Sequence, residues 1–372
     1  MSDSERRAVG GWLIALWVLV LLMVMIGGVT RLTGSGLSIV EWKPVSGILP
    51  PLTEQAWHDA FNAYQSSPQF QHQNAWMAVE DFKRIFFWEY LHRLFGRFIG
   101  LAFFVPWLVF VMRGTLKGAW MWRTFGLMVL GGLQGALGWF MVMSGLVNEP
   151  RVSHYRLAAH LLLGIGVGQA ILWQALEVAS PRVASNALPR AQRWLALGLL
   201  PLLALQITYG AFMGGLRAGW VAATFPDMNG HYAPGYFFTS GSLWQNLFDN
   251  PLSIHYLHRV IGFVVLAYAG ATWWTLRKQG SDVRFACHAF LAAIFGQIAL
   301  GAMTVMLGVP VPVAVAHQGG AYIVTAAAVV LCHLALGARA NTARAQTTDV
   351  DGGPSDDPTL DPHSPRTARL HP

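Results

Sequence analysis

The sequence predicts an all-α integral membrane protein: eight transmembrane helices arranged as two parallel-repeat four-helix bundles. Three observations lead there. Eight long apolar runs are nearly free of charge, and charged residues make up only 12% of the 372-residue chain, where soluble domains carry about 25%. Sixteen Trp and 21 Phe suit lipid-facing helices with aromatic belts at the membrane interfaces. Several short motifs also recur in order at nearly constant spacing. A formal charge of +7 raises the possibility of nucleic-acid binding. The basic residues, however, stand singly or in pairs between apolar runs, so the membrane accounts for them better and no nucleic-acid partner is expected.

A spanning helix needs about 20 apolar residues. The first run is Gly11–Val29, 19 positions without a charge. Seven more follow: Leu91–Met112, Thr124–Val147, Leu157–Leu176, Trp194–Met213, Tyr256–Leu276, Phe285–Leu307 and Ala314–Gly337. Arg6 and Arg7 before the first run resemble the start of a signal peptide, but the run is long and no A-x-A site follows, so it reads as an uncleaved first span. Eight spans put both termini on one side. Thirteen basic residues near the membrane fall on the N-terminal side and ten on the other, which places both termini in the cytoplasm of a multi-pass inner-membrane protein.

The organisation that follows is a cytoplasmic N-terminus (1–10), an N-terminal four-helix half (11–176) with an outer loop at 30–88, and an inner linker (177–193). A C-terminal half (194–337) and a disordered cytoplasmic tail (338–372) complete it. The 30–88 and 214–254 loops are long enough to be folded over a site. Cys287 and Cys332 lie inside apolar runs without a CxxC, so neither a disulfide framework nor a zinc site is expected.

The repeat is legible in three matches. Glu89-Tyr90-Leu91-His92-Arg93 parallels His255-Tyr256-Leu257-His258-Arg259, 166 residues on. Gln134-Gly135-Ala136-Leu137-Gly138 parallels Gln297-Ile298-Ala299-Leu300-Gly301 at 163, and Ala159-His160 parallels Ala316-His317 at 157. Two units with an even number of spans share one topology. Each unit carries two histidines near the outer starts of its even-numbered spans: His92 and His160, then His258 and His317. Paired imidazoles at one depth in a four-helix bundle suit axial ligation of a heme iron. Gly96, Gly100, Gly164, Gly168 and Gly262, four or eight residues after a histidine on its own face, are expected to leave room for a macrocycle, with Ala321 in that place after His317. The alternative for any one intramembrane histidine is a helix–helix hydrogen bond. His154 and His255 fall at helix ends, His288 and His333 toward the inner face without evident partners, and His231 in a loop.

The halves differ at Glu89, whose counterpart is His255. An ionisable group at a span reads as functional by default, which suggests that the N-terminal half does chemistry while the other holds a fixed cofactor. The alternative is an i,i+4 pair with Arg93. Arg93, Arg97 and Arg259 at the outer mouths are candidates to pair with heme propionates, or else snorkel to the interface.

The run GGVTRLTGSGLS (Gly27–Ser38), EWKPVSG (Glu41–Gly47), Leu49-Pro50-Pro51, FWEYLHR (Phe87–Arg93), YRLAAH (Tyr155–His160), TFPDMNG (Thr224–Gly230) and Ala316-His317-Gln318 together resemble the heme A synthases, closest to their proteobacterial and mitochondrial branch. The likeness covers about residues 10–337. It implies oxidation of the C8 methyl of heme O to a formyl group by successive hydroxylations through a geminal diol, for heme–copper oxidases. It implies His258 and His317 as ligands of a heme b cofactor, His92 and His160 as ligands of the substrate heme, and Glu89 as the catalytic glutamate. It also implies a heme O synthase and an electron donor or acceptor as partners, and admits a homo-oligomer. This chain lacks the outer-loop cysteine pair of the family's other branch, and His255 departs from the usual neighbour of the ligand. Two other classes remain beside it: a diheme b-type electron carrier, and a transporter with parallel repeats.

Overall fold

The computed structural model describes residues 1–41, 46–145, 151–180, 186–232 and 241–337; the expected 338–372 tail lies outside them, as does part of the EWKPVSG motif. Among the described residues the secondary structure is helical, with one isolated bridge between Met228 and His231. Eight helical segments among the described residues are long and apolar enough to cross a membrane. They are α1 (Asp3–Leu32), α3 (Val79–Met112), α4 (Ala119–Gly145), α5 (His154–Ala179), the joined α6 (Arg190–Leu197) and α7 (Leu199–Gly215), α9 (Pro251–Leu276), α10 (Ser281–Met306) and α11 (Val311–Ala335). Among the described residues, two α-helices lie in the connections: α2 (Glu54–Gln65) and α8 (Leu243–Phe248).

Local chemistry sets the helix ends. Ser2 and Glu5 form a capping box that starts α1. The Asn250 side chain accepts from the Leu252 and Ser253 amides while Pro251 opens α9, a position that needs no N–H. The fifth span breaks at Gly198 because Pro201 has no N–H to offer the Leu197 carbonyl.

The helices α1, α5, α7 and α11 form a central seam: α1 packs on α5, α3 and α11, and α5 on α4, α7 and α11. Beyond the seam, α9 packs on α7 and α10, and α10 on α11. One apolar core fills the space among α6, α7, α9, α10 and α11, around Leu199, Val265, Phe290 and Leu331. A second is built from α1, α3, α4 and α5, around Leu13, Leu16, Phe103 and Ile171, and takes in Tyr322 from α11. Tyr322 is wholly buried at the seam, where its hydroxyl donates to the Trp17 carbonyl (3.0 Å) and Gln169 Nε2 donates to its own carbonyl (3.1 Å). Cys287 and Cys332 are free and buried, and Cys332 Sγ donates to the Ala196 carbonyl.

The first span starts at Asp3, eight residues before Gly11, and the second span differs most from expectation. The second span starts at Val79 rather than Leu91, so α3 has 34 residues and is about 51 Å long, well beyond the ~30 Å of a hydrocarbon core. His92 therefore lies thirteen residues into its helix, not near its start, whereas His160, His258 and His317 lie six or seven residues in. The added turns bury Phe82, Ile85, Phe86 and Glu89, a one-sided helical pattern with polar residues between. A search for uniformly apolar runs passes over it.

On that face sits α2. Tyr64 stacks on Phe82 at 5.2 Å, and Phe61 and Trp57 complete the aromatic cluster. Tyr64 Oη donates to Gln69 Oε1 (3.1 Å), and Gln69 Nε2 donates to the Gly34 carbonyl (2.9 Å). Burial, assisted by the Glu89 charge, raises the Tyr64 phenol pKa and keeps it a donor. The first long connection is thus fastened to the end of α3.

The seam gives a stability prediction. A Cβ on Gly168 would fall against the Tyr322 hydroxyl and ring, so Gly168→Val is expected to cost about 1–3 kcal/mol from overpacking. On the same helix a Cβ at Gly166 meets nothing within 4 Å, and Gly166→Ala should melt no lower than the parent. Thermal unfolding in detergent reads both.

Candidate functional site

The four histidines are seated in the same way. A Cβ on Gly27 of α1 would lie 3.1 Å from His92 Cε1, and one on Gly138 of α4 would lie 2.9 Å from His160 Cε1. The corresponding distances are 3.2 Å from Gly210 of α7 to His258 Cε1 and 2.9 Å from Gly301 of α10 to His317 Cε1. Each imidazole edge thus rests on bare backbone of the spanning helix that precedes its own. Any larger residue at these glycines would occupy the ring's place.

Four residues before each glycine stands a second holding group. Gln134 Nε2 donates to the His160 carbonyl (2.9 Å) and lies 3.1 Å from His160 Nδ1. Gln297 Nε2 donates to the His317 carbonyl (2.9 Å), and Gln206 Nε2 lies 3.5 Å from His258 Nε2. Met23 takes this place in α1, with its Cε 3.3 Å from where a Gly96 Cβ would be. The Q-x-x-x-G pattern occurs at 134–138, 206–210 and 297–301. Sequence reading used the first and last to find the repeat and missed the second, whose middle residues differ.

This corrects the expectation about small residues. The spaces beside Gly96, Gly164 and Gly262 are filled by Met23, Gln134 and Gln206, and that beside Gly168 by Tyr322. Gly100 alone among the glycines named for this purpose has nothing within 4 Å of a Cβ.

The rings of His258 and His317 stand 6.5 Å apart, centroid to centroid, at 86°. Imidazole nitrogens bind metals at about 2 Å, so one metal ion between the rings is sterically reasonable. The Nδ1 atoms of His92, His258 and His317 are buried without a hydrogen-bond partner. In each, that nitrogen lies on the ring edge that faces the glycine, so these rings are held by packing and not by a helix–helix hydrogen bond through Nδ1. This holding leaves Nε2 as the nitrogen that an iron macrocycle would take.

Above each pair an arginine gathers the long connection. Glu89, 3% exposed, accepts at Oε2 from Ser38 Oγ (2.7 Å) and the Ile39 amide (2.8 Å). Its Oε1 accepts from Arg93 Nε (3.1 Å) and Nη2 (2.6 Å). Arg93 in turn donates to the carbonyls of Ile39 (2.8 Å) and Glu41 (3.2 Å). In the other half Arg259 Nε donates to His255 Nε2 (3.0 Å), and its Nη1 donates to the Asp227 carbonyl (2.5 Å) and the Pro226 carbonyl (3.4 Å). The residue three before the histidine and the arginine one after it therefore act together in both halves. Arg93 and Arg259, expected at propionates, are directed at loop carbonyls; Arg97 lies one turn further along α3. Nε2 of His255 is the ring nitrogen that Arg259 engages.

Other histidines also have partners. His154 Nε2 donates to the Phe248 carbonyl (2.9 Å), and His288 Nδ1 donates to the Arg284 carbonyl (2.7 Å). His333, expected to be alone, is buried 3.6 Å from Glu177.

Comparison with known proteins adds to this geometry. The chain matches the COX15-CtaA family, described as cytochrome oxidase assembly protein, over residues 10–329. It is 42% identical over 328 residues to a protein of Parvibaculum lavamentivorans described as heme A synthase, covering 88% of this chain and 94% of that one. Proteins of the same description from Azorhizobium caulinodans and Nitrosospira multiformis are 46% and 40% identical over 333 and 334 residues. Each match covers 89% of this chain, with 95% and 94% of the respective relative.

The buried pair offers a direct check. With side chains 4% and 13% exposed, Glu89 and Arg93 are largely out of water. Removing the cation should cost about 3–5 kcal/mol. Arg93→Ala is expected to lower the melting temperature and to expose residues 33–53 to protease, as read by limited proteolysis and mass spectrometry.

Proposed function

Because the chain belongs to the COX15-CtaA family of cytochrome oxidase assembly proteins, we propose that it oxidises the C8 methyl of heme O to the formyl group of heme A. The observation that carries the reading at the site is the fourfold seating of His92, His160, His258 and His317 on bare glycine backbone. Two such pairs suit two hemes, one as substrate and one as resident cofactor.

We assign His92 and His160 to the substrate heme and His258 and His317 to a heme b. A heme held by the second pair supplies a one-electron store. The remaining work belongs to the chain. Gln134 and Gln297 tie the backbone at His160 and His317 to the neighbouring helix, fixing the direction of each ring. Glu89 and Arg93 draw residues 38–41 over the N-terminal pair, excluding water from the place where the methyl group reacts. Four donors already engage the Glu89 carboxylate, which supports a role in holding this roof by its charge. Two organised halves, 11–176 and 194–337, are part of the same proposal, as is an inner-membrane location with cytoplasmic termini. A heme O synthase supplies the substrate, and an electron donor or acceptor completes the reaction.

Expression with and without a heme O synthase, followed by chromatography of extracted hemes, tests the activity: heme A is expected only in its presence. Heme O and protoheme without heme A in the strain that carries the synthase would favour a plain diheme cytochrome. His258→Ala and His317→Ala should each lose the low-spin heme b spectrum, and an unchanged spectrum in both would reject that assignment. For Glu89, the informative comparison is with its partner. If charge holds the roof, Glu89→Gln and Arg93→Ala should both lower heme A and both expose residues 33–53 to protease. Loss of heme A in Glu89→Gln alone, with the connection intact, would instead indicate proton transfer, typically a 10²–10⁴ effect on rate.

A further inference from the structure

The two halves close differently beneath their histidines. Within their most apolar stretches, 6% of the residues of α3 and of α4 are buried, against 28% in α9 and 17% in α10. On α4 the five consecutive residues Val129, Leu130, Gly131, Gly132 and Leu133 are all exposed. Five residues make more than a full turn, so the exposed surface includes the side that faces the bundle. Gly131 lies on that side, three and seven residues before Gln134 and Gly138, which hold His160. On α3, Gly100 shares a face with His92 and Gly96 and is also exposed. A Cβ on either Gly100 or Gly131 would meet nothing within 4 Å.

The repeat spacing makes the comparison sharper. Counted from the histidine, Gly100 corresponds to Leu266; counted from the glutamine, Gly131 corresponds to Ile294. Ile294 is 3% exposed in the C-terminal core and Leu266 packs against that core. The same two positions are therefore filled beneath His258 and His317 and empty beneath His92 and His160. The opening is bounded toward the opposite end by buried Phe103 and Leu127 and by the Trp107 Nε1–H to Thr124 Oγ1 hydrogen bond (3.1 Å). It is a gap between α3 and α4, not a general separation of the helices. The His92 imidazole, seated on Gly27 of α1, lies about 12 Å along α3 from Gly100.

We propose that this gap is a bilayer-facing portal and apolar subsite through which the substrate heme reaches and leaves the N-terminal histidine pair, kept open by Gly100 and Gly131. Leu266 and Ile294 close the corresponding gap, so the C-terminal heme is retained. The occupant is fixed by chemistry: the anionic propionates of a heme belong at the watery loop end, which turns its apolar edge, and any hydrocarbon chain on it, toward the glycines at hydrocarbon depth. The inference rests on His92 and His160 being the substrate ligands.

The test uses the full chain with its C-terminal heme bound, mixed with phosphatidylcholine vesicles carrying heme O. Loading is read as the rise of a second bis-imidazole absorption, and release as transfer to apomyoglobin. The double variant Gly100→Leu/Gly131→Ile is expected to slow both at least tenfold while the C-terminal heme content and spectrum stay as in the parent. Gly131→Ala, which adds a methyl to open space, should slow them less. Ile294→Gly should make the C-terminal heme exchange with vesicle heme. Loading at the parental rate in the folded double variant, or undiminished retention in Ile294→Gly, would overturn the portal. So would a changed particle size on native electrophoresis with normal loading, which would make this face a contact with a second copy. Failure of the parent protein to show a second heme site that His92→Ala abolishes would instead overturn the ligand assignment on which the portal depends.

Discussion

The contact between an imidazole edge and the bare backbone of a neighbouring helix is the constraint from which much of the structure follows. A neutral imidazole in hydrocarbon has no water to satisfy it, so its ring must be fixed by the protein or a ligand. Here a glycine on the preceding spanning helix lets two helices approach until the ring fits between them, at Gly27, Gly138, Gly210 and Gly301. That spacing brings the group four residues earlier, Met23, Gln134, Gln206 or Gln297, onto the next turn of the histidine helix. Seating the ring and bracing its helix are thus one arrangement.

Above the rings, the arrangement continues in Arg93 and Arg259. Both donate to carbonyls of a long connection and both take an acceptor one turn back, Glu89 in one case and His255 in the other. The carboxylate gives the first clamp a charge pair that the second lacks. It also recruits Ser38 and the Ile39 amide, so the first connection is held at more points than an imidazole could provide.

The central seam distinguishes the halves in a further way. Arg31 stands four residues after Gly27, and Gly214 four after Gly210. The arginine donates to the Gly214 carbonyl (3.1 Å), and a Cβ on Gly214 would lie 2.9 Å from its Nη1. Room exists for one long side chain where these matched positions meet. Nearby, Gln318, the residue after His317, donates to the Val24 carbonyl (2.7 Å) and rests against Gly28. Since Gly27 carries the His92 ring, two adjacent glycines link the surroundings of both histidine pairs.

The helical membrane class and the four histidines were legible in the sequence, because hydrocarbon demands long uncharged runs and makes any intramembrane imidazole conspicuous. Motif spacing also carried the correspondence between positions 92 and 258 and between 160 and 317. The start of α3 at Val79 was not legible, since its outer turns are amphipathic and their partner α2 is distant in sequence. Nor could sequence say which small residues are open. Gly96, Gly100, Gly164 and Gly168 look alike in the chain, yet Met23, Gln134 and Tyr322 fill three of these places and leave Gly100 bare. The same holds for Arg93 and Arg259, whose donors go to backbone carbonyls that no motif identifies. Sequence determined the solvent each segment lives in and the chemical groups it carries, since both are properties of single residues and their periodicity. Only the tertiary structure decided which spaces are filled and which donors are used, because each depends on side chains brought together from separate helices.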